Sequence, residues 1–394
     1  MNQELDSFVR NEIKSLKDQK MFKAQRRLQS QQGPRAILDE RNVVMLCTNN
    51  YLGLASHPKI KEAAINTIKQ YGCGTASVSE VCGLTNLHDE LCHRIAAFSK
   101  TEAALLYPSC STANIGVVGC LMDEGDVIFS DQFNHASIID GCRFSKAKTV
   151  VFPHNDMDKL EAELKEAANA RLRMIVVDGI FSMEGDTAPL YKVVELANKY
   201  SAITVVDESH AVGVLGKHGA GTVEQYGVQG KIDILTGTFG KALGGAGGGY
   251  VCGSQALVDY LFHHSRTFIF TNALPPVIVA TALAALSVLN EDRSVLNKLW
   301  DNTHYFRMKL EKTGLKLLGG GSPIIPIMVG EAEKAYEMTN TLLDEGVFII
   351  AVGFPIVPKG EARLRAQVSA AHSLEDLDYC VNVIEKVAKK LEII

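Results

Sequence analysis

The stretch Ile203-Thr-Val-Val-Asp207-Glu-Ser-His210 is followed by Ile232-Asp-Ile-Leu-Thr236-Gly-Thr-Phe-Gly-Lys241-Ala-Leu-Gly-Gly-Ala-Gly-Gly-Gly-Tyr250. Each begins with a short β-branched apolar run, the pattern of a strand buried on both faces. The first run ends on an acid, and the second leads into a lysine flanked by small residues. In a parallel α/β sheet, ligands bind beyond the C-terminal strand ends. Two such ends would present Asp207 and Lys241 to one crevice. That is the arrangement a pyridoxal phosphate site needs: a lysine for the Schiff base, and an acid to pair with the pyridinium nitrogen. Taken singly, Asp207 also reads as a turn cap and Lys241 as a solvent lysine in a loop. Two nucleotide templates fail here. The Walker pattern has Leu235 in place of its first glycine and Ala242 after the lysine, and the dinucleotide pattern ends on Tyr250. The glycines are read as clearance for a flat ligand.

Further strands are predicted at 43–47, 103–107, 127–130, 149–152, 174–178, 203–207, 232–236 and 249–252, with helices between them, among them 156–168 and 189–199. Alternation of this kind predicts an α/β fold with a mainly parallel seven-stranded sheet covered on both faces. After about residue 290 the texture changes. Helices at 294–313, 331–345 and 374–391 and strands near 324–329, 347–350 and 363–368 predict a smaller α+β C-terminal domain. Three parts are expected: an N-terminal helix and arm (1–50), a large domain (51–290) and a small domain (291–394). Residues 2–30 read as one amphipathic helix with a basic second half, Lys14, Lys17, Lys20, Lys23, Arg26 and Arg27.

The 394 residues carry 40 Lys+Arg and 45 Asp+Glu, a formal charge of −5. No global basic field is present to hold nucleic acid or an anionic membrane. The longest apolar run, 275–289, is too short to cross a bilayer, which needs about 20 residues. The first residues carry acids where a signal peptide carries bases, and a cytoplasmic location is expected. Nine scattered cysteines without a C-x-x-C pair indicate neither a metal site nor a disulfide framework.

Three other segments bear chemistry. Tyr107-Pro-Ser-Cys110-Ser111-Thr-Ala-Asn114 joins a strand to an apolar helix, whose first N–H groups would cradle a phosphate; ordinary N-cap chemistry is the alternative. In Asn134-His135-Ala-Ser-Ile-Ile-Asp-Gly, His135 would stack on a flat ring or serve structure alone. Arg363 and Arg365 share one strand face by their period-two spacing. An Arg fork there binds a carboxylate or pairs with neighbouring acids.

As a set these segments resemble the α-oxoamine synthases, fold-type I pyridoxal phosphate enzymes that condense an amino acid with an acyl-CoA. The resemblance runs in order through Thr48-Asn-Asn-Tyr-Leu-Gly-Leu, Asn134-His-Ala-Ser-Ile-Ile-Asp-Gly, Asp178-Gly-Ile-Phe-Ser-Met-Glu-Gly, Val206-Asp-Glu-Ser-His-Ala-Val-Gly, Thr236-Gly-Thr-Phe-Gly-Lys-Ala-Leu-Gly-Gly and Val357-Pro-Lys-Gly-Glu-Ala-Arg-Leu-Arg. Within that branch, Asn49-Asn-Tyr51, His135–Arg143 and Gln367-Val-Ser-Ala-Ala-His372 are similar to the glycine C-acetyltransferases (2-amino-3-ketobutyrate coenzyme A ligases).

The resemblance implies the aspartate aminotransferase-like fold, pyridoxal 5'-phosphate as cofactor, glycine and acetyl-CoA as substrates in threonine and glycine metabolism, and a homodimer with shared sites. The alternative is another amino acid or acyl-CoA, as in 8-amino-7-oxononanoate synthase or serine palmitoyltransferase. It further implies that Lys241 carries the cofactor as a Schiff base and takes the α-proton. Asp207 pairs with the pyridine nitrogen, His210 contacts the ring oxygen and His135 stacks on the ring. Cys110, Ser111 and Thr238 bind the phosphate, and Ser182 meets a cofactor oxygen. Thr271 reaches the phosphate of the neighbouring subunit, while Asn50 and Arg365 hold the amino-acid carboxylate. Lys17, Lys20, Lys23 and Arg26 are candidates for the CoA phosphates, or simply a solvated helix face. Ser79 stands where the family carries an arginine and Glu80 adds an acid, which argues against an acyl chain ending in a carboxylate. A plain aminotransferase would use the same lysine and acid. A NAD oxidoreductase lacks its glycine fingerprint, and a non-enzymatic subunit is disfavoured by the intact Lys241, Asp207 and His210.

Overall fold

The computed structural model describes residues 2–18, 21–22 and 25–394. Strands β1 (Arg35–Leu38) and β2 (Arg41–Met45) form an N-terminal hairpin. The large sheet comprises β3 (Ala103–Tyr107), β4 (Val127–Asp131), β5 (Lys148–Phe152), β6 (Arg173–Asp178), β7 (Ile203–Asp207), β8 (Ile234–Thr238) and β9 (Gly249–Gly253). Their order is β3-β9-β8-β7-β6-β4-β5. All neighbours run parallel except β9, which is antiparallel to both β3 and β8. The link from β8 to β9 is too short to hold a crossover helix, so the chain can only turn back. This is the fold-type I transferase fold, with its mainly parallel seven-stranded sheet.

Register explains the site. Asp178 of β6 pairs with Asp207 of β7, which pairs with Thr236 of β8, so β6 and β7 stop level and β8 runs two residues further, to Thr238. Thr238 pairs with Gly249, which pairs with Tyr107, so the antiparallel strand begins at the same rim. β8 starts two residues later than 232–236 predicts. Asp233 is used as a cap, accepting from Thr204 N at 2.8 Å and Thr204 Oγ1 at 2.7 Å.

After the long apolar helix Pro276–Glu291, β10 (Ile324–Gly330), β12 (Ile350–Val352) and β13 (Ala362–Gln367) make a small antiparallel sheet. Its core, with Phe306, Leu342, Leu364, Leu377 and Ile384, also takes in Val44 and Leu46. The reason is that β2 pairs in parallel with β11 (Val347–Phe348).

The N-terminal helix is shorter than 2–30. It spans Gln3–Asp18 and buries no residue. Leu28 already bridges to Leu38 in extended backbone. Of the bases considered for CoA, Lys17 therefore lies on the helix and Arg26 beyond it. Lys17 lies over the Phe22 ring, Arg26 pairs with Asp39 at 3.3 Å, and Lys20 and Lys23 fall outside the described residues. No helix among the described residues is long and apolar enough to cross a membrane.

Candidate active site

At the rim of β6, β7 and β8 lies a cavity of about 210 Å³. It is lined by Ser109, Cys110, Ser111, His135, Ser137, Asp178, Ile180, Ser182, Asp207, Ser209, His210, Thr238 and Lys241. Eight predicted site residues thus meet in one place: Cys110, Ser111, His135, Ser182, Asp207, His210, Thr238 and Lys241. Asn50, Arg365 and Thr271 do not line it.

Asp207 is fixed from three sides. Asn114 Nδ2 donates to Oδ2 at 2.7 Å and Ser209 N donates to Oδ1 at 2.8 Å. The Cys110 thiol lies 3.5 Å from each oxygen. Burial and the neighbouring Asp207 charge push that thiol far up, so it stays protonated and acts as a donor. Asn114 also donates to Ser137 Oγ at 2.9 Å and accepts from Thr236 Oγ1 at 2.7 Å. Ser137 Oγ in turn lies 2.8 Å from His135 Nδ1, which also accepts from Ser137 N at 3.2 Å. With Nδ1 the acceptor, the His135 proton sits on Nε2. His135 N donates to Asp178 Oδ2 at 2.8 Å, clamping the ring to β6. Burial pushes Asp178 well above the usual carboxylate range, and the Asp207 charge adds to this.

On the other side, Tyr51 Oη lies 2.8 Å from His210 Nδ1 and accepts from Gln367 Nε2 at 3.0 Å. The tyrosine proton therefore points to Nδ1, and His210 keeps its own proton on Nε2. Burial, with the Lys241 and Arg365 charges, holds His210 well below its ordinary pKa, so it is a neutral donor. Lys241 is also shifted down, by burial first, with Asp207 partly opposing. A lowered lysine pKa raises the share of free amine at any given pH.

The helix Cys110–Leu121 opens onto the cavity. Ser109 Oγ accepts from Thr112 N at 3.1 Å and Thr112 Oγ1 accepts from Ser109 N at 3.1 Å, a reciprocal cap. The N–H groups of Cys110 and Ser111 precede the first intrahelical bond and stay available to an anion. Gly249 lets the helix start sit against β9, since a Cβ there would meet Cys110 N at 2.3 Å. None of the glycines between 237 and 249 lines the cavity. They serve backbone approach and turning, Gly247 at φ 117° for example, rather than clearance for a ligand.

Arg363 and Arg365 do share one strand face, with different partners. Arg363 reaches Glu184 at 3.4 Å and Glu361 at 3.1 Å, the ion-pair reading. Arg365 donates from Nε to the Ser182 carbonyl at 2.5 Å and from Nη1 to Gln367 Oε1 at 2.8 Å. Among the described residues no carboxylate lies within 4.0 Å of its guanidinium, although Arg365 is only 6% exposed. Asn50 is buried, accepting from Ala55 N at 3.1 Å. Sequence reasoning missed Asn114, Tyr51 and Gln367 as parts of the site. Their segments carry the family resemblance, but their partners lie far away in sequence. His372 proves structural, accepting from Ser369 N at 3.0 Å and reaching the Met45 carbonyl at 3.0 Å.

The donor set fits pyridoxal phosphate on its own geometry. Its lining brings together a firmly held acid, the start of a helix with free N–H groups, Thr238 and a lysine of lowered pKa. Ser209 Oγ lines the same cavity, buried with no hydrogen-bond partner among the described residues.

The aminotransferase class I and II family model matches residues 41–384. The chain is 46% identical to 8-amino-7-oxononanoate synthase of Thermoanaerobacter pseudethanolicus, covering 98% of each chain. It is 42% identical to mitochondrial 2-amino-3-ketobutyrate coenzyme A ligase of Bos taurus, covering 98% of this chain and 93% of that one. The chain is an α-oxoamine synthase. A serine palmitoyltransferase from S. paucimobilis, solved with a pyridoxal phosphate–myriocin adduct, superposes with a TM-score of 0.92 at 28% identity over 99% of both chains. The cofactor of this synthase is pyridoxal 5'-phosphate, and its reaction class is condensation of an amino acid with an acyl-CoA. The specific likeness to glycine C-acetyltransferases is not singled out: relatives named 8-amino-7-oxononanoate synthase stand at 46% and 44%, slightly above the bovine ligase.

Proposed function

We propose that this synthase joins alanine to a seven-carbon dicarboxylic thioester, pimeloyl-CoA, with loss of carbon dioxide and release of CoA. The product, 8-amino-7-oxononanoate, is the one named in the relatives of highest identity reported above. The observation that carries an amino-acid substrate is Arg365, a buried cation with no carboxylate within 4.0 Å among the described residues. Such a charge is costly unless an anion joins it, and a substrate carboxylate supplies one. When bound, pyridoxal phosphate is an electron sink for charge developing at the amino-acid α-carbon.

The chain's own residues have separable tasks in this reading. Arg365 and Asn50 hold the carboxylate, so that the α-hydrogen faces Lys241. The Lys241 Nζ accepts the α-proton. Asp207, fixed by its three donors, would pair with the pyridine nitrogen. His210 Nε2–H would donate to the ring oxygen, Ser182 would meet a cofactor oxygen and His135 would cover one ring face. Cys110 and Ser111 N–H would hold the phosphate, joined by Thr238 Oγ1 on turning from the Gly248 carbonyl to which it donates at 2.8 Å. Two copies of the chain form the working unit, Thr271 of each serving the other's phosphate. The cytoplasmic location belongs to the same proposal.

Glycine with acetyl-CoA, giving 2-amino-3-ketobutyrate, is a second reading. It is favoured by Ser79, which brings no cation for a distal carboxylate. One grid decides: glycine, alanine and serine, each against acetyl-, pimeloyl- and palmitoyl-CoA, with free thiol and product mass recorded. Alanine with pimeloyl-CoA is expected to turn over best, giving a product one CO2 lighter than simple condensation. Turnover confined to glycine and acetyl-CoA establishes the second reading. Amino-group transfer to a keto acid without thiol release would overturn both.

A further inference from the structure

Beyond the cavity, β4 ends at Asp131 and β5 leads through Pro153 to His154. The His154 side chain is 16% exposed. Its Nδ1 lies 3.1 Å from Asp131 Oδ1 and its Nε2 lies 2.9 Å from Asp186 Oδ2. The ring packs against Phe133, with centroids 4.8 Å apart, and meets Phe181 edge-on at 4.4 Å. The Asn155 amide also lies 3.2 Å from Nε2, but a carboxylate nearer at each nitrogen favours the cation, which donates from both.

The two carboxylates belong to different parts of the site. Asp131 is anchored to the sheet rim, accepting from Phe133 N and Asn155 N at 2.8 Å each. Asp186 lies on the turn closed by the Ile180–Thr187 bridge. That turn faces the small domain. Its Ser182 carbonyl takes Arg365, its Met183 carbonyl and Glu184 take Arg363, and its Gly185 carbonyl takes Ser322 Oγ at 2.8 Å. On the large-domain side His154 holds Asp186, and Asn155 Nδ2 reaches the Thr187 carbonyl at 3.3 Å.

The geometry points to His154 as a positioning residue: held between Asp131 and Asp186, it places the Ser182 carbonyl and through it the Arg365 guanidinium that receives the amino-acid carboxylate. This rests on the proposed role of Arg365. The charged groups facing His154 are Asp131 and Asp186 directly, with Glu184 and Arg363 on the far side of the turn. Burial opposes a charge on His154, but hydrogen bonds to the two carboxylates outweigh it and push the pKa up to about 10.

The test uses the holoenzyme without any acyl-CoA. Dissociation constants for glycine, alanine and serine are read from the change in cofactor absorption. The proteins are wild type, His154→Gln, His154→Phe, Asp186→Asn, Arg365→Lys and the His154→Gln/Arg365→Lys double variant. Losing a charge-assisted contact in the relay is expected to weaken amino-acid binding about tenfold in the His154 variants and about threefold in Asp186→Asn. Cofactor retention should be unchanged. In the Arg365→Lys background the His154 substitution should change binding by less than about twofold, because the contact through which it acts is altered. A lowered melting temperature with unchanged amino-acid affinity would show a structural role alone and overturn the proposal. So would an equal loss in both Arg365 backgrounds. If the His154 variants do not fold, Asp186→Asn decides by the same affinity criterion. If wild type binds none of the three amino acids, the Arg365 reading fails and takes this proposal with it.

Discussion

Asn114 is the residue on which the anionic side of the site turns. One side-chain amide serves Asp207, Ser137 and Thr236, and it is 1% exposed. A buried relay of this kind is fully satisfied or costly. Asn114→Ala would strand the Thr236 hydroxyl and remove one donor from Asp207. The expected loss is about 1–3 kcal/mol of stability, with weaker cofactor retention. Thermal unfolding of the apoprotein and a cofactor titration measure the two effects separately. An unchanged cofactor affinity would mean that Ser209 N and the Cys110 thiol suffice to hold Asp207. The sequence places Asn114 at a helix start and says nothing of its partners, which lie 23, 93 and 122 residues away.

At the scale of elements, the site is built from strand ends and one helix start. The strand ends were legible: β-branched runs closed by Asp131, Asp178 and Asp207 mark where a parallel sheet presents polar groups. The direction of β9 follows from its short link to β8. Not legible was the closeness of β9 to the helix Cys110–Leu121. A Cβ on Gly249 would sit 2.3 Å from Cys110 N and 2.4 Å from the Ser109 carbonyl carbon. Both are backbone atoms, which cannot swing aside as a side chain does. Gly249→Ala is expected to shift the helix start and weaken phosphate binding at least tenfold, an overpacking cost of about 1–3 kcal/mol. Inorganic phosphate and pyridoxal phosphate affinities, measured on apoprotein, report it. Unaltered phosphate binding would show that the helix start is not the cradle. The N-terminal helix is shorter than its charge rhythm predicts, because by Leu28 the backbone is extended and pairs with β1.

Across the whole molecule, stability should carry the signature of His154. Its folded pKa is raised from 6.5 to about 10. Its contribution is therefore complete below about pH 6.5 and lost as pH rises through about 10. The difference in melting temperature between wild type and His154→Phe should be largest near pH 6 and vanish by about pH 11. Glu208 acts in the same direction in its own window. Burial pushes its pKa up to about 7, so the neutral form favours folding below about pH 4.5 and that advantage is gone above about 7. A melting-temperature gap that widens toward alkaline pH would contradict the ion-pair geometry of His154.

The chain by itself determined the fold class, the seven strands of the large sheet, the cofactor and eight residues of one cavity. The strands and the Asp207–Lys241 pair are written in local chemistry: β-branched runs, acids at strand ends, a capped helix start and a lysine after an apolar strand; Ser182 and Thr238 enter only through the resemblance to the α-oxoamine synthases. Tertiary structure decided the rest. It separated Arg365, with no carboxylate within 4.0 Å among the described residues, from Arg363, which is paired. It gave Asn114, Tyr51 and Gln367 their places, and it hung the turn 180–187 between His154 and two arginines. The physical reason is that a buried polar group is defined by what it meets across the fold, and register, not spacing along the chain, chooses that partner.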